Sequence, residues 1–326
     1  MANVNNMRQK NIVVCAAIIA VLLVLAACKK DGVYKPGDKI AGFAEYSETD
    51  YQRYDSQKQQ WITYRSDSVR RYTTEKWNWD GNQLNRIDFY TSASSTSADH
   101  SLVFSYDGKR LQRIYNSKTK GYALCNYDGR NIKEMLFHDK NGKQTGSISF
   151  EHDGKRISAM TISGTAATKG DYGASQDEMT RAALVFIAGD AGIAAESIKT
   201  LARERKTENG ITLTLTWKND NISRIEFSDG SQSASFTYDR NPNPMKGFLG
   251  TLVAGTTAHD MYLCCNANNT TSSTITASDG SKDVLNYSYT YSGELPVSRS
   301  RSVVDHYAQG NRIVYSYVTY YQYVED

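Results

Sequence analysis

One short pattern of apolar and polar positions is written five times along the chain, at residues 77–87, 104–114, 125–135, 150–160 and 215–225. The second copy is typical. Phe104, Ser105 and Tyr106 are followed by Asp107-Gly108, then Lys109-Arg110, then Leu111 and Ile114. Residues two apart share one face of a strand, so Phe104 and Tyr106 point the same way. Asp-Gly between such runs predicts a β-hairpin with a type I′ turn, which needs positive φ at both central residues. Seven Asp-Gly and two Asn-Gly pairs punctuate the chain, the turn density of an antiparallel meander.

The half after each turn carries more information. Its apolar residues fall at n, n+3 and n+5: Leu84, Ile87, Phe89; Ile132, Met135, Phe137; Ile157, Met160, Ile162; Ile222, Ile225, Phe227. A regular strand puts n and n+3 on opposite faces. Either both faces are covered or a β-bulge resets the parity. Polar pairs at n+1 and n+2, such as Asn85-Arg86, Gln112-Arg113 and Lys133-Glu134, favour the bulge. Lys39-Ile40-Ala41-Gly42-Phe43 repeats the n, n+3 step without a preceding turn and marks the start of the folded domain. Turn glycines at 81, 108, 129 and 154 are unevenly spaced, which argues against a solenoid. The expectation is an all-β fold: an antiparallel hairpin meander in a curved, barrel-like sheet.

One segment breaks the pattern. Ser175 and Glu178 have capping-box spacing. Met179, Ala182, Ala183, Phe186 and Ile187 then form one apolar stripe, predicting an inserted amphipathic helix near 175–189. Residues 195–206 either extend it or form a strand pairing with residues 211–217; the strand is preferred. The tail alternates Tyr315, Tyr317, Tyr321 and Tyr323 against Val318, Tyr320 and Val324. It reads as a long last strand with both faces partly covered.

The first residues have a different logic. A polar start with Arg8 and Lys10 precedes an apolar run from 12 to 24, too short for a membrane-spanning helix of about 20 residues. Leu25-Ala26-Ala27-Cys28 follows and resembles the lipobox of bacterial lipoproteins. That resemblance implies a signal peptide at 1–27, lipidation of Cys28, a tether over 28–39 and one β domain over 40–326. More than one acyl chain is needed for stable anchoring, and triacylation would supply it. Lys29 after the cysteine argues for the outer membrane, with the periplasmic or surface side left open.

Charge narrows the partners. Without Arg8 and Lys10, the 38 basic residues become 36 against 35 acidic ones, so no basic field exists for nucleic acid. Cys125, Cys264 and Cys265 remain after the signal and the lipidated residue are set aside. Cys125 could bridge to either of the pair, or all three could be thiols.

Candidate chemistry is sparse. His100, His138, His152, His259 and His306 each sit beside an aspartate, but neighbours in a strand point to opposite faces, and no metal-ligand spacing occurs. No nucleophile elbow and no phosphate loop appears. The acids concentrate at turns, where their role is structural. The sequence therefore points to no catalytic residue, no metal and no cofactor. Trp77, Trp79, Tyr106 and Trp217 occupy core positions of the repeat; Tyr321 and Tyr323 are the residues offered for stacking on a sugar.

The lipobox with Cys28, the hairpins at 77–87 and 104–114, and residues 236–248 together resemble a family of Bacteroides-type lipoproteins known as domain of unknown function 4595. The resemblance covers the mature chain. It implies a porin-like, barrel-like sheet and an envelope location, and it supplies no catalytic residues. The repeated phrase also resembles the YD repeats of Rhs-type shells, which are far longer; this chain is too short to enclose a cargo.

Three functions compete. A lipid-anchored, non-enzymatic binding or scaffold module, with a glycan or envelope protein as partner, agrees with every feature above. A glycan-acting hydrolase or lyase would need two acids facing each other across a pocket. An integral outer-membrane barrel would need lipid-facing apolar alternation, which Arg86 and Lys133 oppose.

Overall fold

The computed structural model describes residues 31–92, 94–164, 211–252, 265–307 and 311–325. Every regular element among them except one short 3-10 turn is a strand: β1 (Ile40–Asp55), β2 (Gln60–Asp80), β3 (Gln83–Phe89), β4 (His100–Asp107), β5 (Arg110–Asn116), β6 (Tyr122–Asp128), β7 (Asn131–His138) and β8 (Gln144–Asp153). The second half holds β9 (Arg156–Gly164), β10 (Ile211–Lys218), β11 (Asn221–Phe227), β12 (Gln232–Pro242), β13 (Asn268–Ala277), β14 (Lys282–Ser292), β15 (Leu295–Tyr307) and β16 (Asn311–Tyr323). Each strand pairs antiparallel with its sequence neighbours, and β1 pairs with β16, so the sheet closes into a barrel. The expected curved sheet is thus a closed one, and closure removes the edges that an open meander exposes. The helix expected at 175–189 lies outside the described residues, and no α-helix occurs among the described ones. Residues 195–206 also lie outside the described residues; β10 pairs with β9 and β11.

The n, n+3 step is a bulge in every hairpin. Trp79 faces Leu84 while Asn78 faces Arg86, leaving Asn85 as the extra residue. The same shift places Tyr106 opposite Leu111, Tyr127 opposite Ile132, His152 opposite Ile157, Trp217 opposite Ile222 and Tyr291 opposite Pro296. Two further cases were hidden in the sequence. Tyr238 faces Thr270 across the same shift, with a long connection in place of the turn. Tyr323 of the last strand faces Ile40 of the first, again with a bulge after Ile40. The barrel is therefore eight copies of one unit, and the chain ends fall inside the eighth.

The turns differ from the expected type. Asp107 pairs with Arg110, so Gly108 and Lys109 are the central residues, and of these only Gly108 has positive φ, at 58°. That is the signature of type II′, with glycine at the first central position. Asp is the last residue of the incoming strand. Only Asn219 and Asp220, with φ of 50° and 60°, form the type I′ pair.

A bulge releases backbone groups that the ladder would otherwise satisfy, and a buried one needs another partner. The repeat provides it from the next unit. The hydroxyl of Tyr106 donates to the Leu84 carbonyl at 2.7 Å, and that of Tyr127 donates to Leu111 at 2.6 Å. Trp217 Nε1 donates to Ile157, Tyr238 to Ile222, Trp79 Nε1 to Ile40, and Tyr323 to Pro296, at 2.5–2.9 Å. The second aromatic of each phrase thus stitches its own unit to the one before. Two units depart from this. His152 occupies one of the aromatic positions, and the Tyr291 hydroxyl turns instead to the Asp239 carboxylate.

The freed N–H groups are met from the N-terminal segment and from a long loop. Gly32 O accepts from Leu111 N at 2.8 Å, the Asp31 carboxylate accepts from Ile132 N at 2.9 Å, and Asn266 Oδ1 accepts from Ile222 N at 2.8 Å. Pro296 stands at its bulge without an N–H to satisfy. Gly32 has a φ of 77°, and a Cβ there would collide with the Tyr127 hydroxyl, so the close approach admits only glycine. Tyr34, Met245, Phe248 and Leu249 then enter the barrel from the turn end and join the apolar core of Phe43, Trp77, Phe104 and their neighbours. The Phe248 ring lies 5.0 Å from Tyr34, 4.9 Å from Trp77 and 5.6 Å from Phe104.

Two outcomes test this scheme. Tyr127→Phe removes one stitch and should cost about 1–2 kcal/mol of unfolding free energy in urea titration. Gly108→Ala forces a non-glycine residue into the left-handed region and should cost about 1 kcal/mol in the same assay.

Candidate functional site

The lining of the barrel changes along its length. Nearest the plug, Glu75, Phe43 and Tyr321 lie side by side on β2, β1 and β16. The next level reads Tyr72, Glu45, Thr319 and Arg299, and the next Val69, Ser47, Tyr317, Arg301 and Tyr287. Apolar lining thus gives way to charge on one side of the barrel. Glu75, Arg299 and Arg301 are all buried. Glu75 accepts the indole N–H of Trp77 at 2.9 Å. The Arg301 guanidinium stands 4.4 Å from the Tyr317 ring and that of Arg299 stands 5.3 Å from Tyr287. Burial lifts Glu45 above the ordinary carboxylate range, against the opposing pull of Arg301 and then Arg299. Burial likewise lowers the Arg301 pKa, against the raising influence of Tyr317 and Glu45. In this cluster burial and opposite charge act against each other on Glu45 and on Arg301.

Beyond that level four strands keep going. β1 has 16 residues, β2 21, β15 13 and β16 13, against 7 in β3. At about 3.3 Å per residue, β1 overshoots the short strands by roughly 30 Å. Its far part, with the far parts of β2, β15 and β16, forms a tongue at the end opposite the turns at Gly81, Gly108, Gly129 and Gly154. One face of the tongue carries a fixed aromatic array. Tyr54 pairs with Trp61 across the strands, with ring centroids 5.4 Å apart. Arg312 lies 4.3 Å from the Trp61 ring and donates to Gln52 Oε1 at 2.8 Å, while Gln52 Nε2 donates to Thr63 at 3.0 Å. Tyr54 is 46% exposed and the bulged Tyr64 59%. Among the described residues no strand covers the free edge of β2 before Glu75. That edge carries Arg65, Asp67, Arg70 and Arg71 and three bulges, which discourage edge-to-edge pairing.

The residues singled out in the sequence fall elsewhere. Tyr323 is the aromatic of the eighth repeat unit, with its hydroxyl on Pro296, and Tyr321 packs edge-on against Phe43 at 5.1 Å. Both are half-buried against the core. His100 stacks on Phe89 at 4.6 Å and His138 on Tyr122 at 4.8 Å, as parts of strand packing. Cys125 is a free, buried thiol whose pKa burial pushes up to about 12. Cys264 and Cys28 lie outside the described residues. Among the described residues, no three His, Cys, Asp or Glu side chains group as a metal site. The tongue array escaped the sequence reading because Tyr54 and Trp61 lie outside the repeated phrase; their antiparallel register, set by the turn at 56–59, is what joins them.

The outer face of the barrel is mixed, with Val103, Leu124, Leu136 and Val284 among many polar positions. Ser105, Asn126, Lys133, Glu151, Thr214, Thr216, Arg224 and Asn286 point outward and are exposed, between inward residues that are buried. A lipid-facing barrel wears the opposite pattern.

No protein-family model matches the chain, and no curated protein matches it. Two solved structures match over most of the chain at low similarity. One is a porin-like protein from Bacteroides uniformis ATCC 8492, 11% identical, covering 90% of this chain and 100% of that one with a TM-score of 0.49. The other is a porin-like protein from Bacteroides vulgatus ATCC 8482, 10% identical, covering 85% and 98% with a TM-score of 0.24.

The charge network gives a signed expectation. A carboxyl whose folded pKa lies above its unfolded value favours folding most at pH below the unfolded value, and that contribution is lost as pH rises through the folded pKa. Arg301→Gln removes the larger of the two arginine influences holding Glu45 down. The Glu45 pKa should then move further up, read by NMR titration of its carboxyl carbon.

Proposed function

We propose that this chain is a non-enzymatic cell-envelope protein, anchored through a lipid on Cys28, whose barrel is a scaffold that presents the tongue to a glycan. The many polar outward positions and the apolar, plugged inside carry the reading. This pattern argues against both of the ordinary uses of a membrane barrel: many outward positions are charged or polar, and Tyr34 and Phe248 fill the end through which a solute would pass. What remains for it is rigidity, and the feature it holds rigid is the tongue. The Tyr54–Trp61 pair offers the flat apolar surface on which a sugar ring stacks, with Arg312 and Gln52 fixed alongside as hydrogen-bonding groups.

A chain beginning at Lys30 should stay monodisperse in aqueous buffer by light scattering; dependence on detergent would overturn the scaffold reading. On a panel of envelope polysaccharides, Trp61→Ala should weaken retardation in affinity electrophoresis by about tenfold, equivalent to about 1.4 kcal/mol. Unchanged retardation would remove the tongue from the binding site.

A further inference from the structure

The N-terminal segment decides how the barrel sits on a membrane. Asp31 is locked to three hairpins at the turn end. Its N–H donates to the Arg130 carbonyl at 3.0 Å, its own carbonyl accepts from Arg110 Nε at 3.0 Å, and its carboxylate accepts from Ile132 N at 2.9 Å. His152 Nε2 lies 3.3 Å from the same carboxylate. Gly32 follows under the Tyr127 hydroxyl, and Tyr34 is buried with its hydroxyl on the Pro244 carbonyl at 2.9 Å. The chain therefore leaves the barrel at Asp31 with no slack behind it. Only three peptide steps separate Asp31 from Cys28, and a fully extended chain covers roughly 3.5 Å per step, so the Cys28 Cα can reach no further than about 11 Å from Asp31.

We infer that the Asp-Gly turn end is the lipid-facing surface of the barrel, held flat on the bilayer by a short leash, and that the tongue points away from the membrane. The inference rests on the anchoring of Cys28 proposed above. The charges of this end suit such a role without creating it. Lys109, Arg130 and Lys155 alternate with Asp107, Asp128 and Asp153 around the rim, so the surface presents mixed charge to headgroups and no strong field of its own. The leash, and not electrostatic attraction, holds the end in place. The Asp-Gly hairpins at Gly81, Gly108, Gly129 and Gly154 lie at this end, whereas the turns at Gly230 and Gly280 lie at the other, where the β1–β2 turn at Gln57 and Lys58 is the tip of the tongue. The barrel thus works as a pedestal, with the Tyr54–Trp61 array at its remote end.

The test uses the lipidated full-length protein in phosphatidylethanolamine–phosphatidylglycerol vesicles containing a headgroup nitroxide. Single labelling sites are Lys155→Cys and Lys109→Cys at the turn end and Lys58→Cys at the tongue tip, in a Cys264→Ser, Cys265→Ser background. Buried Cys125 is shielded from the reagent by its raised pKa. Fluorescence at 155 and 109 should be quenched at least fivefold more than at 58. Twelve Gly/Ser residues inserted between Lys30 and Asp31 should abolish that contrast while leaving the melting temperature unchanged. Equal quenching at all three sites in the parent protein, with the lipid present on the N-terminal peptide by mass spectrometry, would overturn the orientation alone. Absence of the lipid would overturn the anchoring reading, and the orientation with it.

Discussion

The hydrogen bond from an aromatic side chain to a bulged carbonyl is the interaction on which this barrel depends. A bulge in a buried strand gives curvature and twist, but it releases backbone groups into an apolar interior, where each would cost about 1–3 kcal/mol if left alone. Tyr106, Tyr127 and Tyr238, with Trp79, Trp217 and Tyr323, answer that cost by reaching across to the neighbouring unit. The residue that defines one hairpin therefore completes the previous one. A ring of such dependences has no natural place to stop until it closes, and closure through Tyr323 and Ile40 is what the sheet does.

The same requirement explains the plug. The carbonyls are met by aromatics from within the sheet, but the freed N–H groups face the turn end and need acceptors from outside it. Gly32, Asp31 and Asn266 supply them. The segment after the expected lipid site is thereby part of the wall of the fold. Asn243 and Asn266 hold the opposing loop, and Met245 and Phe248 follow it into the core. The turn end is thus sealed and rigid. Extension of β1, β2, β15 and β16 at the other end leaves exposed rings, Tyr54 and Tyr64, beside an open strand edge.

How much of this could be read from the residues depends on the range of each interaction. The phrase itself is local, so strand, turn and bulge follow from spacing: Leu111 and Ile114 demand a parity reset whatever else the chain does. The turn type did not follow, because Asp107-Gly108 fits two positions of a hairpin and only the pairing of Asp107 with Arg110 chooses between them. Tyr323 could be seen as one of many tyrosines in an alternating tail, but its partner Ile40 is at the other end of the chain. Tyr54 and Trp61 are neighbours only because a long hairpin brings them together.

Alone, the sequence determined the repeated unit, the all-β class, the polar outward positions and the absence of a basic field. These depend on side-chain parity and composition, which are properties of adjacent residues. The tertiary structure decided closure, the eightfold count that includes the two chain ends, the docking of Asp31 and the emergence of the tongue. Each of these is a contact between residues far apart in the chain, and the register that makes such contacts is set by packing inside the barrel, not by any local signal.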